Sequence, residues 1–164
     1  MAKPFDVFDS GRMSIITDPA GGVIGLWQAK NHIGSQVSQE HGAISWNEYM
    51  SSDVDKSKAF FETVLGVTFH ADPAMGGYAM MIVDGAPVAG VIQRMEQMPE
   101  LANPWLVYFN VDDCDAAFEK ATSTGASVIV PPMDIPPGRF AIMKDPQGAE
   151  FAVIKVNPEF MSGG

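Results

Sequence analysis

The sequence is poor in charge, in cysteine and in long apolar runs, and each shortage excludes a class of protein. Charged residues make up 18% of the 164 residues and hydrophobic residues 46%, a globular and not a disordered composition. A single cysteine, Cys114, excludes an internal disulfide and fits a reducing compartment. No apolar run approaches the roughly 20 residues that span a bilayer, and the first residues lack the apolar core of a secretory signal. We therefore expect a cytoplasmic protein without a membrane partner.

Basic residues are also scarce. The net charge is −10 and the isoelectric point is near 4.5. A surface of that sign repels phosphate backbones, so we expect no nucleic-acid partner. A negative cleft would favour cationic ligands, and the alternative is that the charge only keeps the protein in solution. The 11 methionines are typical of adaptable binding surfaces, because the thioether is flexible and polarisable.

The chain contains two stretches of one pattern, at 53–69 and 112–128. An acidic residue (Asp53 or Asp112) begins each stretch, and about three turns of helical periodicity follow. A glycine (Gly66 or Gly125) then stands where a helix ends in the left-handed conformation. Each stretch therefore predicts a capped helix.

Strands flank both helices. β-Branched or alternating runs predict strands at 44–50, 67–70, 77–83, 86–93, 104–111, 127–132, 139–144 and 150–156. Asp84-Gly85 predicts a two-residue hairpin, and the Asp-Pro-Gln-Gly sequence at 145–148 predicts a turn. The result is two β-α-β-β-β modules at 44–93 and 104–156, with a linker at 94–103 and a tail at 157–164.

A second repeat relates 11–27 to 138–154. Residues 1–29 therefore resemble the closing hairpin of a module whose beginning is missing, and the polar stretch 30–43 predicts a linker. Arg12 recurs as Arg139, which favours a structural role for both at a turn. Because two strands alone are marginal in water, we expect a homodimer in which 11–29 contributes to the interface.

Paired β-α-β-β-β modules with this Asp-Pro-x-Gly turn resemble the vicinal oxygen chelate superfamily, which includes glyoxalase I, extradiol dioxygenases and bleomycin-resistance proteins. The segments 46–66 and 85–93 are most similar to its tandem-domain branch, typified by a mycobacterial antigen. The resemblance implies an α+β fold in which 44–156 forms one two-module domain. Its eight strands would curl into a cup with the helices outside, and the hairpin at 1–29 would be extra.

The resemblance also implies where a metal would bind, on the first and last strands of each module. Those positions carry over to Trp46, Leu106, Ala152 and a site within 88–92, where no donor side chain occurs before Gln93. Divalent metals take nitrogen or oxygen donors. We therefore expect neither a metal nor another cofactor.

Strand alternation predicts what lines the cup instead. Residues on the face of the metal positions form the candidate ligand-binding set: Trp46, Glu48, Met50, Leu106, Tyr108, Asn110, Glu150, Ala152 and Ile154. Trp105, Val107 and Phe109 would lie on the opposite face, under the helix. Such a pocket is mostly apolar with a few orienting polar groups, as in small-molecule sites.

These residues favour a metal-free protein that binds an amphipathic or aromatic ligand, with a cationic group as one option. The alternative is a lyase or isomerase in which Glu48, beside Trp46 and Met50, acts as general base. A third hypothesis is an interaction module whose cup is filled by its own side chains. The spacing of His32, His41 and His70 does not indicate a metal site.

Overall fold

The computed structural model describes residues 1–71, 76–96, 98 and 101–161. Within them lie eleven strands and two longer helices, in this order: β1 Ala2–Val7, β2 Gly11–Thr17, β3 Val23–Ala29, β4 Ile44–Ser51, α1 Val54–Leu65, β5 Thr68–Ala71, β6 Ala79–Val83, β7 Ala86–Gln93, β8 Trp105–Asn110, α2 Cys114–Ser123, β9 Ser127–Ile135, β10 Gly138–Lys144 and β11 Glu150–Val156. A short helix α3, Pro158–Met161, lies within the predicted tail. The predicted α+β fold of paired β-α-β-β-β modules is confirmed.

The chain divides into two compact units. The first unit comprises Met1–Gln36 and Tyr49–Arg94, and the second comprises Val37–Glu48 and Met95–Gly164. In the first, the strand order β5-β6-β7 continues to the end of β4, where the Arg94 amide donates to Ser51 over 2.7 Å. In the second, the order runs from the start of β4 through β8, β11 and β10 to β9. Each unit thus holds the sheet of one module.

Residues 1–29 form a three-stranded antiparallel sheet in the order β1-β2-β3. The hairpin of β2 and β3 is as predicted, whereas β1 was not predicted from the sequence. The sheet repeats the register of β9-β10-β11. Arg12 lies opposite Asp6 on β1, just as Arg139 lies opposite Asp134 on β9. The N-terminal sheet is therefore equivalent to the last three strands of a module.

The termini of α1 follow the sequence signals, whereas both termini of α2 are shifted by one residue, and the C-cap of α2 is Thr124 and not the predicted Gly125. Asp53 caps α1 by accepting from the Lys56 amide, and Gly66 ends it at φ 68°. The cap of α2 is Asp113, which accepts from the Ala116 amide, and not Asp112 as the repeat predicted. Asp112 instead contacts His41 through its backbone amide and its carboxylate, at 3.2 and 3.0 Å.

Each unit has its own core. In the first, the fully buried rings of Tyr49 and Phe61 meet edge to face, with centroids 6.0 Å apart. In the second, α2 packs on one face of β10 and β11, where the buried members are Val111, Cys114, Ala141, Met143 and Val153. Among the described residues, no helix is long and apolar enough to cross a membrane. The predicted linker 94–103 and tail 157–164 lie partly outside the described residues.

Candidate functional site

The two faces of β8 have the residues that alternation predicts. Phe109 meets Phe151, which packs against the core under α2, with ring centroids 6.3 Å apart. Tyr108 points to the other face, where its ring lies 6.1 Å from Phe140. Leu106 and Asn110 share that face with Tyr108 because side chains alternate along a strand. This face, which lies opposite the face covered by α2, is the candidate site of the second unit.

The structure divides the predicted set by accessibility. Leu106, Ala152 and Ile154 are 1%, 0% and 5% exposed, so they form the floor and offer little surface to a ligand. Trp46 and Glu48 on β4 are partly exposed. Met50 is buried in the first unit. Solvent therefore reaches the candidate site at Trp46 and Glu48, and also at Asn110.

Glu48 and Tyr108 form the polar pair of this face. The phenol of Tyr108 donates to Oε1 of Glu48 over 3.3 Å, although the residues are 60 positions apart in sequence. Tyr108 itself is buried. The pair therefore places a hydrogen-bonded carboxyl group two residues along β4 from Trp46, on the same strand face.

The other two polar members are engaged by their own chain. The side-chain amide of Asn110 donates through Nδ2 to the backbone carbonyl of Gln39 over 2.7 Å. The side chain of Gln39 in turn donates through Nε2 to the backbone carbonyl of Ser45. Glu150 accepts from the Ala102 amide over 2.8 Å and pairs with Lys144 at 3.1 Å. Both side chains hold loops onto the sheet, and Glu48 is itself held by Tyr108.

The residues at the carried-over metal positions do not fit a metal. Trp46, Leu106 and Ala152 offer no oxygen or imidazole donor. Of the carboxylates on the same face, Glu48 accepts from Tyr108 and Glu150 pairs with Lys144. Within the described ranges, no three His, Cys, Asp or Glu side chains are grouped to hold a metal ion.

His32, Cys114 and Arg139 make contacts that stabilise the fold. The imidazole of His32 lies edge to face with Trp27, with centroids 5.9 Å apart. Cys114 is 1% exposed, and burial together with the nearby Asp115 charge raises the pKa of its thiol to about 11. A thiol that stays protonated is a poor nucleophile. Arg139 holds Asp115 of α2 with Nε and Nη2 at 2.7 and 2.8 Å, consistent with the structural role expected from its recurrence.

A second polar cluster, in the first unit, was missed by the sequence reasoning. Asp18, in the turn between β2 and β3, is 4% exposed and accepts from the hydroxyls of Tyr49 and Ser57, each over 2.7 Å. Its other oxygen accepts from the Gly22 and Ala20 amides. The repeat relates Asp18 to Asp145 of the predicted turn, and nothing in the sequence indicated the two distant hydroxyls.

Known proteins share this architecture. A family model described as the Glyoxalase/Bleomycin resistance protein/Dioxygenase superfamily matches residues 43–153. The 2,3-dioxygenase LapB from Pseudomonas sp. KL28 superposes with a TM-score of 0.59 at 13% identity, covering 96% of this chain and 64% of that one. At that identity the likeness shows the fold alone.

Curated relatives extend the similarity beyond the matched family segment. The Mycobacterium tuberculosis protein named "Putative glyoxylase CFP32" is 44% identical over 162 residues, 97% of this chain and 61% of that protein. The anthracycline biosynthesis protein DnrV of Streptomyces peucetius is 33% identical over 155 residues, 93% of this chain and 56% of that protein. The chain thus spans less than two thirds of the length of these relatives. The homodimer stays a prediction. The family model and the identity to these relatives show that the chain belongs to the glyoxalase/bleomycin resistance protein/dioxygenase superfamily.

Proposed function

We propose that the chain binds a small aromatic, cationic molecule without a metal, at the face where Trp46, Glu48 and Tyr108 lie. The observation that carries the proposal is the Tyr108 to Glu48 hydrogen bond on a face whose metal positions hold apolar side chains. A ligand held there would stack on Trp46 and place its cation on Glu48. A partly exposed indole beside a carboxylate suits such a ligand, because the ring attracts both aromatic surface and positive charge.

The acidic composition supports a cationic ligand. A net charge of −10 attracts positively charged molecules over several ångströms and raises their rate of encounter. The Streptomyces relative is named for anthracycline biosynthesis. An anthracycline with a protonated amine, such as doxorubicin, is therefore a suitable first probe.

The experiment is a fluorescence titration of doxorubicin with the full chain. We expect saturable binding that weakens about tenfold in Glu48→Gln, because one charge-assisted contact is lost. Trp46→Leu should weaken it as well through loss of stacking. Glu119→Gln, which removes an exposed carboxylate on α2, is the matched control and should bind like the native chain.

Binding that is identical in native chain and Glu48→Gln would contradict the proposed site. If doxorubicin and a small set of simpler aromatic amines all fail to bind, the proposed ligand class is wrong.

The second candidate is a lyase or isomerase in which Glu48 acts as general base. The observation in its favour is the 44% identity to a protein named as a glyoxylase. A carboxylate on a largely apolar face is able to accept a proton from a carbon acid. This candidate predicts turnover of thiol adducts of oxoaldehydes, and Glu48→Gln should lower kcat by at least about a hundredfold. Unchanged turnover in Glu48→Gln would eliminate it.

A further inference from the structure

The face of the candidate site continues from β8 to β10, beyond the strands that the sequence assigned to it. Tyr108 lies opposite Ala152 of β11, and Ala152 lies opposite Ile142 of β10. These three side chains form one buried row across the sheet. The ring of Phe140, two positions before Ile142, lies 6.1 Å from that of Tyr108. Because side chains alternate along a strand, every second residue of β10 belongs to this face.

Lys144 is the next side chain of β10 on this face. It lies two positions beyond Ile142, while Met143 between them packs under α2. Its side chain is 41% exposed, and its Nζ lies 3.1 Å from Oε1 of Glu150, the residue directly opposite on β11. The side chain of Glu150 is only 5% exposed. A buried carboxylate therefore holds an accessible ammonium group on this face.

The contact between Lys144 and Glu150 does not use up the donors of the ammonium. Oε2 of Glu150 accepts from the Ala102 amide over 2.8 Å, whereas Oε1 is buried and has no aligned hydrogen bond among the described residues. The 3.1 Å approach of Lys144 is thus an attraction between charges and not a directed bond. An ammonium carries three N–H donors and no acceptor. Its donors therefore suit an oxygen of a bound molecule.

We propose that Lys144 is a second charged binding residue of this site and binds a carboxylate or phenolate oxygen of the ligand. The inference rests on the proposed function of this face and adds an acidic group to the ligand class. Strands β8 and β11 lie between β4, which carries Glu48, and β10. At about 4.8 Å per strand, β4 and β10 are roughly 14 Å apart along the sheet. A fused-ring molecule with an amine at one end and an acidic oxygen at the other therefore matches the two charges.

The experiment is a fluorescence titration of anthracene-9-carboxylate, an aromatic acid without an amine, with the full chain. We expect saturable binding that weakens at least about tenfold in Lys144→Gln, because a charge-assisted contact is lost. Glu48→Gln should bind this acid at least as tightly as the native chain, since it removes a negative charge. Lys155→Gln is the matched control and should bind like the native chain. Lys155 is exposed on β11, and alternation with Val153 places it on the opposite face.

Lys144→Gln leaves the buried Glu150 without its counter-charge, which destabilises the fold. The double variant Lys144→Gln/Glu150→Gln removes both charges and should show the same weakened binding. Lys144→Arg keeps the positive charge and should bind the acid within a fewfold of the native chain. Equal binding by the native chain and the double variant would overturn the assignment of Lys144, and so would a native chain that does not bind the acid at all.

Doxorubicin separates this inference from the proposed function. If its binding depends on Glu48 while the acid binds alike with and without Lys144, then the proposed function stands and the role of Lys144 is wrong. If instead the acid depends on Lys144 while doxorubicin binds equally to native chain and Glu48→Gln, then Lys144 binds acidic groups as proposed and the cation site at Glu48 is wrong.

Discussion

The phenol of Tyr49 donates a 2.7 Å hydrogen bond to Asp18, which precedes it by 31 residues. Tyr49 begins the part of β4 that belongs to the first unit, and Asp18 lies in the hairpin of the N-terminal sheet. Ser57 on α1 donates to the same carboxylate oxygen. One buried carboxylate therefore fastens the N-terminal sheet to both a strand and a helix of the module.

Removing this carboxylate should destabilise the chain. In Asp18→Ala, two buried hydroxyls lose their acceptor, so we expect the free energy of unfolding to fall by about 3 kcal/mol. Asp145→Ala is the matched control, because Asp145 occupies the equivalent turn and, within the described part of the chain, its side chain accepts from the Gln147 and Ala149 amides alone. We expect a loss of roughly 1 kcal/mol there. Urea denaturation measures both, and equal losses would show that the distant hydroxyls contribute nothing.

Tyr49 should make stability depend on alkaline pH. Burial, and then the hydrogen bond to Asp18, raises the pKa of its phenol to about 12, against 10.0 for a free tyrosine. The unfolded chain therefore loses this proton first. The contribution of Tyr49 to stability is complete below pH 10 and declines as the pH rises toward 12. The total loss is about 2–3 kcal/mol, given roughly 1.4 kcal/mol for each pH unit.

The measurement is the free energy of unfolding in urea between pH 9 and 12, for native chain and Tyr49→Phe. The phenylalanine variant loses the hydrogen bond at every pH, so it should start less stable and then show the weaker decline. Parallel curves for the two proteins would contradict the assignment to Tyr49.

The metal positions lead to a third prediction. Trp46, Leu106 and Ala152 supply no metal-coordinating atom. A metal that binds the native state would raise the unfolding temperature. We therefore expect the unfolding temperature in Mn²⁺, Ni²⁺ or Zn²⁺ to stay within about 1 °C of its value in chelator. Thermal denaturation with each ion in turn is the check. A metal-dependent rise that disappears in Glu48→Gln would show that Glu48 is a ligand after all.

Much of the fold follows from local signals in the sequence. The Asp84-Gly85 hairpin is made by two residues with φ of 50° and 79°, which the Asp-Gly pair favours. The strand β1 was missed because Pro4 and Asp6 interrupt its pattern, and pairing with β2 outweighs that weak propensity. Strand β9 extends through two prolines to Ile135. The prolines are tolerated because β9 is an edge strand, at the end of the strand order.

The sequence predicted which side chains share a face of the candidate site, but not which hydrogen-bond partners they meet. Alternation placed Tyr108 and Phe109 on opposite sides of β8, and their ring contacts agree. Alternation gives no information about which distant group a polar side chain meets. Asn110 binds the Gln39 carbonyl, and Tyr108 finds Glu48, 60 residues away, because the fold brings separate strands together.

A last prediction concerns the close contact that keeps Asp18 buried. The backbone at Gly22 lies so near Tyr49 that a Cβ there would come within 2.5 Å of the phenol oxygen. Gly22→Ala should therefore displace the ring from Asp18 and cost about 1–3 kcal/mol, the usual range for overpacking. Gly25→Ala is the matched control, because a Cβ there would meet only the Ser14 carbonyl at 4.0 Å. It should leave stability unchanged or slightly raised, since alanine restricts the unfolded chain. Denaturation in urea compares the two, and if Gly22→Ala is as stable as Gly25→Ala, then the ring of Tyr49 is not held against the hairpin.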